Sequence, residues 1–213
     1  MSTLKGIKAF VFDLDMTLID SSYAIHTCTN LLAEAYGLEK VTREEVLATI
    51  GLPIEKCWEQ LWGRYEPEWL DHYRTKFKKQ ETEGLRTFPN TLSTLKALRE
   101  RGYKTAVVTN RKYPETPVTW TGIDKQLDMM LGTAELKHSK PHPEPLLTAC
   151  DSLGVKPEEV IYTGDTDIDM KAARAAGIKA VGTTTGNFTA EMLEAEGAWK
   201  VINDLSELLL IEE

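Results

Sequence analysis

Apolar positions gather into three short runs rich in β-branched and aromatic residues: Ile7 to Phe12, Thr105 to Val108, and Val160 to Tyr162. Runs that stay apolar at successive positions predict strands buried on both faces of a sheet. Each passes directly into polar residues: Asp13 after the first, Thr109 and Asn110 after the second, and Thr163, Gly164 and Asp165 after the third. Helical patterns fill the intervals. Thr91 to Arg101 carries Leu92, Leu95 and Leu98 and stops at Gly102, Glu144 to Leu153 stops at Gly154, and Asp169 to Ala176 stops at Gly177. This alternation predicts an α/β fold on a doubly wound parallel sheet. Such sheets bind ligands beyond the carboxyl ends of their strands, so the polar residues mark a site before any motif is considered.

The first two runs are too far apart for an ordinary crossover. Roughly 90 residues separate Asp13 from Tyr103, where one helix and a few loop residues would suffice. Residues 20–86 read as wholly helical, with Ile25, Cys28, Leu31, Leu32 and Ala35 on one stripe and Trp58 and Trp62 one turn apart. The expected organisation is an α/β core from 1–19 and 87–213 interrupted by a helical cap over 20–86. Thr17 to Ser22 and Gly84 to Pro89 are the expected hinges.

Composition narrows the function classes. A formal charge of −8 repels nucleic-acid phosphates, and the basic cluster Arg74 to Lys79 reads as a solvated helix face. No apolar run approaches the roughly 18 to 20 residues needed to span a bilayer, and the amino-terminal apolar stretch ends in two aspartates rather than a cleavage site. Cys28, Cys57 and Cys150 are odd in number and lack a CxxC pair, which disfavours a disulfide framework or a zinc site and fits a reducing cytoplasm. Neither nucleic acid nor a membrane is an expected partner.

The converging residues suggest phosphoryl chemistry. A carboxylate at a buried strand end, Asp13, is rigidly placed, and Asp15 points into the same cavity, so one can attack while the other moves protons. Attack on an anionic phosphoryl group needs a divalent cation and cationic side chains to cancel the repulsion. Asp13 and Asp165 can hold Mg²⁺, Lys140 can neutralise a phosphate oxygen, and Thr109 supplies a hydroxyl donor. Asp169 sits close enough behind them to orient the metal's waters or Lys140. Plainer readings stand beside these. Thr109 could simply cap a turn, Asn110 could be structural, and His138 and His142 read as surface residues. Trp58, Trp62 and Trp69 read as packing between helices, and Gly51-Leu52-Pro53 is either a plain turn or a loop that reads the substrate.

Asp13-Leu-Asp-Met-Thr17, Thr109-Asn110, Lys140-Pro141 and Gly164-Asp165-Thr-Asp-Ile-Asp169 resemble, in order and spacing, the four motifs of the haloacid dehalogenase superfamily. The chain most resembles its phosphoglycolate phosphatase-like members, which carry a helical cap between the first two motifs. The resemblance implies a Rossmann-like core, with Asp13 as nucleophile, Asp15 as general acid and base, and Thr109 and Lys140 as phosphate ligands beside Asn110. It further implies Asp165 and the backbone carbonyl of Asp15 as Mg²⁺ ligands together with Asp13. Met16 departs from the motif, which usually has glycine there; a positive φ would cost Met about 1 kcal/mol. The expected activity is Mg²⁺-dependent hydrolysis of a phosphate monoester through an aspartyl-phosphate. A sugar phosphomutase of the same superfamily and a non-catalytic phosphate-binding protein are the alternatives. A dehalogenase is disfavoured, because carbon–halogen cleavage does not need the acid that Asp15 supplies.

Overall fold

A computed structural model describes residues 4–211. The three apolar runs form strands β1 (Ala9–Phe12), β4 (Lys104–Val108) and β6 (Val160–Gly164). Three further strands, β5 (Met129–Leu131), β7 (Lys179–Thr183) and β8 (Lys200–Ile202), complete an all-parallel sheet in the order β5-β4-β1-β6-β7-β8. The predicted strands are therefore the three at its centre. The outer ones escaped sequence reading because β5 and β8 are short and half-buried, and because Gly182 interrupts the apolar pattern of β7.

The two-residue period of a strand explains the two-sided core. Ala9 and Val11 face a cluster completed by Leu146, Ala149 and Leu153 of α8 (Glu144–Leu153) and by Met170 and Ala173 of α9 (Asp167–Ala176). Phe10 and Phe12 face the other side, against Leu95 and Leu98 of α6 (Thr91–Glu100) and Val118 of α7 (Glu115–Trp120). Helices on both faces of a parallel sheet make the fold the doubly wound α/β class expected. From β1 the chain moves outward through β4 and β5, then crosses back to β6 on the other side. The ends of β4, β1 and β6 thus flank the crevice where ligands bind in such sheets.

Between β1 and β4 lie α1 (Ser22–Tyr36), α2 (Arg43–Leu47), α3 (Ile54–Trp62), α4 (Pro67–His72), a π-helical turn (Tyr73–Phe77) and α5 (Lys78–Gly84). They pack around their own cluster of Cys28, Leu32, Trp58, Trp69, Leu70 and Tyr73. The expectation of an all-helical 20–86 fails at both ends. Asp20 belongs to β2 (Ile19–Asp20) and Arg86 to β3 (Arg86–Thr87), which pair antiparallel exactly where the insertion leaves and rejoins the core. Ala35 is also solvent-exposed rather than packed, since the buried face of α1 runs through Cys28, Leu32 and Ala33. α1 and α5 lie so close that a Cβ on Gly84 would come within 2.8 Å of the Ala24 Cβ, which reserves that position for glycine. No helix among the described residues is long and apolar enough to cross a membrane.

Candidate active site

The turn after β1 folds tightly, with Met16 N–H bonded to Ile19 O at 2.8 Å and Met16 at φ 58°. The left-handed backbone that the motif's usual glycine would accommodate is therefore present, and Met adopts it with its side chain buried. This turn carries Asp13 and Asp15 to the crevice, while Thr109 and Asn110 arrive from β4 and Asp165 from β6. Thr166 caps α9, its hydroxyl accepting from Asp169 N–H while the Asp169 carboxylate accepts from Thr166 N–H, so Asp169 sits in the first turn.

Lys140 lies at the centre and is almost fully buried. Its ammonium donates to Asp13 Oδ1 at 2.6 Å, Asp169 Oδ1 at 2.7 Å and the Tyr162 hydroxyl at 2.7 Å, using all three protons. Burial works against this charge, but Asp13 and Asp169 outweigh it and hold the ammonium above its ordinary pKa. Burial pushes the Asp13 carboxyl up to about 7, with Lys140 opposing the rise and Asp169 and Asp15 adding to it. Burial would likewise raise Asp169, but Lys140 and the hydrogen bonds from Lys140, Thr166 and Tyr162 keep it below the usual carboxylate range. Asp169 is thus in direct contact with the Lys140 ammonium. Tyr162, read in the sequence as a strand residue, also fixes Lys140.

Asp165 is the exception among these carboxylates. It is 2% exposed, and among the described residues it receives one hydrogen bond, from Thr17 Oγ1 at 3.0 Å, and no ion pair. Burial, then the neighbouring Asp169 and Asp13, holds its pKa well above the ordinary value. Asp13, Asp165 and Asp169 each offer a carboxylate oxygen within 4.8 Å of the others. Three buried carboxyl groups share one ammonium, so ionising all three needs a further cation, and hard oxygen donors of this kind fit Mg²⁺. A Cβ on Gly186 would overlap the Asp165 carboxylate, so that position must be glycine for Asp165 to face the cluster. The Asp15 carboxylate is outside this cluster.

Asp15 is instead gripped by Arg111, whose Nε and Nη2 each reach a carboxylate oxygen at 2.7 Å. The remaining arm, Nη1, meets Glu81 Oε1 on α5 at 2.6 Å. Glu81 also accepts from the Tyr73 hydroxyl at 2.5 Å and from Lys78 at 3.1 Å. Burial would raise the Glu81 carboxyl, yet Arg111, Lys78 and the Tyr73 hydroxyl bring it down to about 2. Sequence reasoning missed this chain of charges. Arg111 directly follows the Thr109-Asn110 motif, a hint of its place, but Glu81 lies in a helical charge run with no distinguishing mark.

The Thr109 hydroxyl accepts from Arg111 N–H at 3.1 Å, as the turn-capping reading holds, and still has its proton to donate. The Asn110 amide is fully engaged. It donates to Gly51 O at 2.8 Å and Lys140 O at 3.0 Å and accepts from Lys140 N–H at 2.9 Å, so its side chain fastens Lys140 and the Gly51 loop. These groups open on a cavity of about 450 Å³ bounded by the Gly51-Leu52-Pro53 loop and the faces of α1, α3 and α4. Trp58 both packs in the helical cluster and lines this cavity, whereas Trp62 and Trp69 serve packing. Arg74 and Lys78, from the basic cluster read as a solvated face, line it too. Burial pushes the Cys57 thiol beside it up to about 12, which rules out a thiolate nucleophile at neutral pH. His138 and His142 lie with ring centroids 4.2 Å apart and planes tilted by 35° in a separate depression.

The family model for haloacid dehalogenase-like hydrolases matches residues 10–183. The phosphoglycolate phosphatase of Haemophilus influenzae is 32% identical over 219 residues, covering 96% of this chain and 97% of that protein. That of Photorhabdus laumondii is 29% identical, covering 97% and 92%. The crystal structure of a predicted phosphoglycolate phosphatase from Haemophilus somnus superposes with a TM-score of 0.85 at 27% identity, covering 99% of this chain and all of that one. With sequence and architecture agreeing over nearly the whole length, the chain belongs to the haloacid dehalogenase-like hydrolases, among those similar to phosphoglycolate phosphatases.

Proposed function

We propose that this protein is a Mg²⁺-dependent phosphatase that hydrolyses a small phosphate monoester through an aspartyl-phosphate on Asp13. The observation that carries the reading is the pairing of a buried strand-end carboxylate, 2.6 Å from the Lys140 ammonium, with a second buried carboxylate, Asp165, that has no cation of its own. Mg²⁺ held by Asp13, Asp165 and the Asp15 carbonyl would neutralise the phosphoryl oxygens and keep Asp13 ionised. Asp169 stands behind these ligands and holds Lys140.

In the first half-reaction the Asp13 carboxylate attacks phosphorus, the P–O bond to the alcohol breaks, and Asp15 delivers a proton to the departing oxygen. In the second, Asp15 takes a proton from a water that attacks the phosphorus, and Asp13 leaves as carboxylate with inorganic phosphate as product. The Thr109 hydroxyl has its proton to give to a phosphoryl oxygen, and the Lys140 ammonium beside Asp13 would exchange one of its present contacts for another. Arg111 occupies both carboxylate oxygens of Asp15, so that grip must open for Asp15 to pass a proton.

In this reading 1–19 and 87–213 form the catalytic core and 20–86 a cap, supported by the cap's own aromatic cluster and by the β2–β3 ribbon that joins the two. The substrate is a phosphorylated metabolite of the cytoplasm, a setting consistent with three unpaired cysteines. The test is phosphate release from a panel of monoesters, with acid quenching to trap phosphoenzyme. Turnover should vanish in chelator and return with Mg²⁺ but not Ca²⁺, whose looser shell misplaces the nucleophile. Asp13→Asn should abolish both turnover and trapped phosphoenzyme while melting as a folded protein. Activity in chelator, or substantial turnover by Asp13→Asn, refutes the proposal. Transfer of the phosphoryl group back onto a sugar without free phosphate would instead identify a mutase.

A further inference from the structure

The cavity above Asp13 has a definite chemical character away from the carboxylates. Its far wall is apolar: Ile25 of α1, Ile54, Trp58 and Leu61 of α3, and Leu70 of α4 line it together. These residues lie on three helices, so this wall exists only when the insertion is folded around its own core. At about 450 Å³ the space is of the size that takes a drug-like ligand, well beyond what a phosphoryl group and two carbons fill.

The charges around it are already committed. Arg111 donates from Nε and Nη2 to Asp15 and from Nη1 to Glu81. Lys78 is paired with Glu81 at 3.1 Å, and Lys140, which touches the lining residue Asp13 without lining the cavity itself, with Asp13 and Asp169. The other lining cations, Arg74 and Lys112, are solvent-exposed, and Glu55 adds a lining carboxylate. An acidic leaving group placed in this space would find no unpaired buried cation among the described residues. To be buried against the apolar wall it would have to break the Asp15–Arg111–Glu81 chain or stay desolvated, and both are costly; pairing with Arg74 or Lys112 would keep it at solvent-exposed groups instead. An uncharged apolar group meets neither penalty and gains by leaving water.

We propose that the alcohol part of the natural substrate is a bulky, uncharged, apolar or aromatic group seated between Ile25, Trp58, Leu61 and Leu70. The site is then selective against small acidic phosphate esters such as 2-phosphoglycolate. The inference rests on the phosphatase reading and adds a leaving-group class to it. Gly51-Leu52-Pro53 forms the near edge of the seat, and the Gly51 carbonyl is tied to Asn110 at 2.8 Å, so the loop is held against the core beside the reacting phosphate.

The test compares three esters of primary alcohols with Mg²⁺ present: ethyl phosphate, 2-phenylethyl phosphate and 2-phosphoglycolate. Primary alkoxides leave in each case, so ring burial rather than leaving-group activation governs the comparison. Burying the phenyl ring should raise kcat/KM over ethyl phosphate by about tenfold to a hundredfold, while 2-phosphoglycolate does no better than ethyl phosphate. Binding of the non-hydrolysable 2-phenylethylphosphonate by the unaltered protein, measured by calorimetry, should be tighter than that of ethylphosphonate by a similar factor. In a Leu61→Gln variant the ratio between phenylethyl and ethyl esters should fall by about fivefold or more; the phosphonate comparison decides the matter if that variant does not fold. Equal rates on all three esters, or preference for 2-phosphoglycolate, overturns the inference and leaves the phosphatase reading standing. Absence of phosphate release from all three, with no phosphoenzyme, removes the phosphatase reading and the inference with it.

Discussion

Two residues in the turn after β1 show how local chemistry and function compete. Met16 sits at φ 58° with 2% of its surface exposed. The left-handed backbone costs it about 1 kcal/mol, but burying a methionine side chain returns about 1.5 to 3 kcal/mol. Met16→Gly should therefore lower stability by about 1 kcal/mol rather than raise it; urea denaturation measures the change, and a gain would show that backbone strain dominates. Asp15 lies one residue before Met16, and if it is the acid, Asp15→Ala should slow esters of poor leaving groups far more than activated aryl phosphates, whose departure needs little protonation. Equal losses on both classes would remove that role. The motif spacing pointed to Asp15, but its bidentate partner Arg111 is 96 positions away and no local pattern announces the pair.

At the scale of elements, α5 matters for its one buried acid. Glu81 joins the insertion to the core through Arg111, with its carboxyl held at about 2 against an ordinary 4.5. A folded pKa below the unfolded one gives stability that is present above pH 4.5 and is lost as pH falls toward 2. The shift corresponds to on the order of 3 kcal/mol, comparable to the penalty for stranding a buried charged partner. Glu81→Gln should thus destabilise the protein by about 3 kcal/mol at pH 7, and its gap from the parent should narrow as pH drops from 4.5 to 2. Chemical denaturation across that range checks it; a gap independent of pH would mean that the loss is one of packing. The periodicity of α6, α8 and α9 was legible because each helix repeats its apolar spacing and ends at a glycine or close before one. The ribbon of β2 and β3 was not, since two-residue strands carry no period and are defined by pairing of Ile19 with Thr87 and Asp20 with Arg86, far apart in the chain.

Across the whole molecule, every group proposed for the chemistry stands on the core side of the cavity, while much of the surface facing the leaving group comes from the insertion. Discrimination among substrates should then be adjustable without touching the reacting groups. Leu52→Ala, on the loop fastened by Asn110, should change the ranking of a panel of phosphate esters more than the rate on the smallest of them. A uniform fall across the panel, or no change, would make Gly51 to Pro53 a plain connection between helices.

What the sequence alone determined is whatever repeats or ends locally: three apolar strands, each passing into polar residues, and a gap too long for a single crossover. Those signals are short-ranged, because burial on a sheet and capping of a helix act on neighbouring residues. Partnership was decided only by the tertiary structure. Lys140 joins Asp13 and Asp169, Arg111 joins Asp15 and Glu81, and Asp165 is left with a threonine hydroxyl. These pairings, like the apolar seat gathered from α1, α3 and α4, depend on side chains meeting across long stretches of chain, where burial makes each charge choose a partner that its sequence neighbours do not specify.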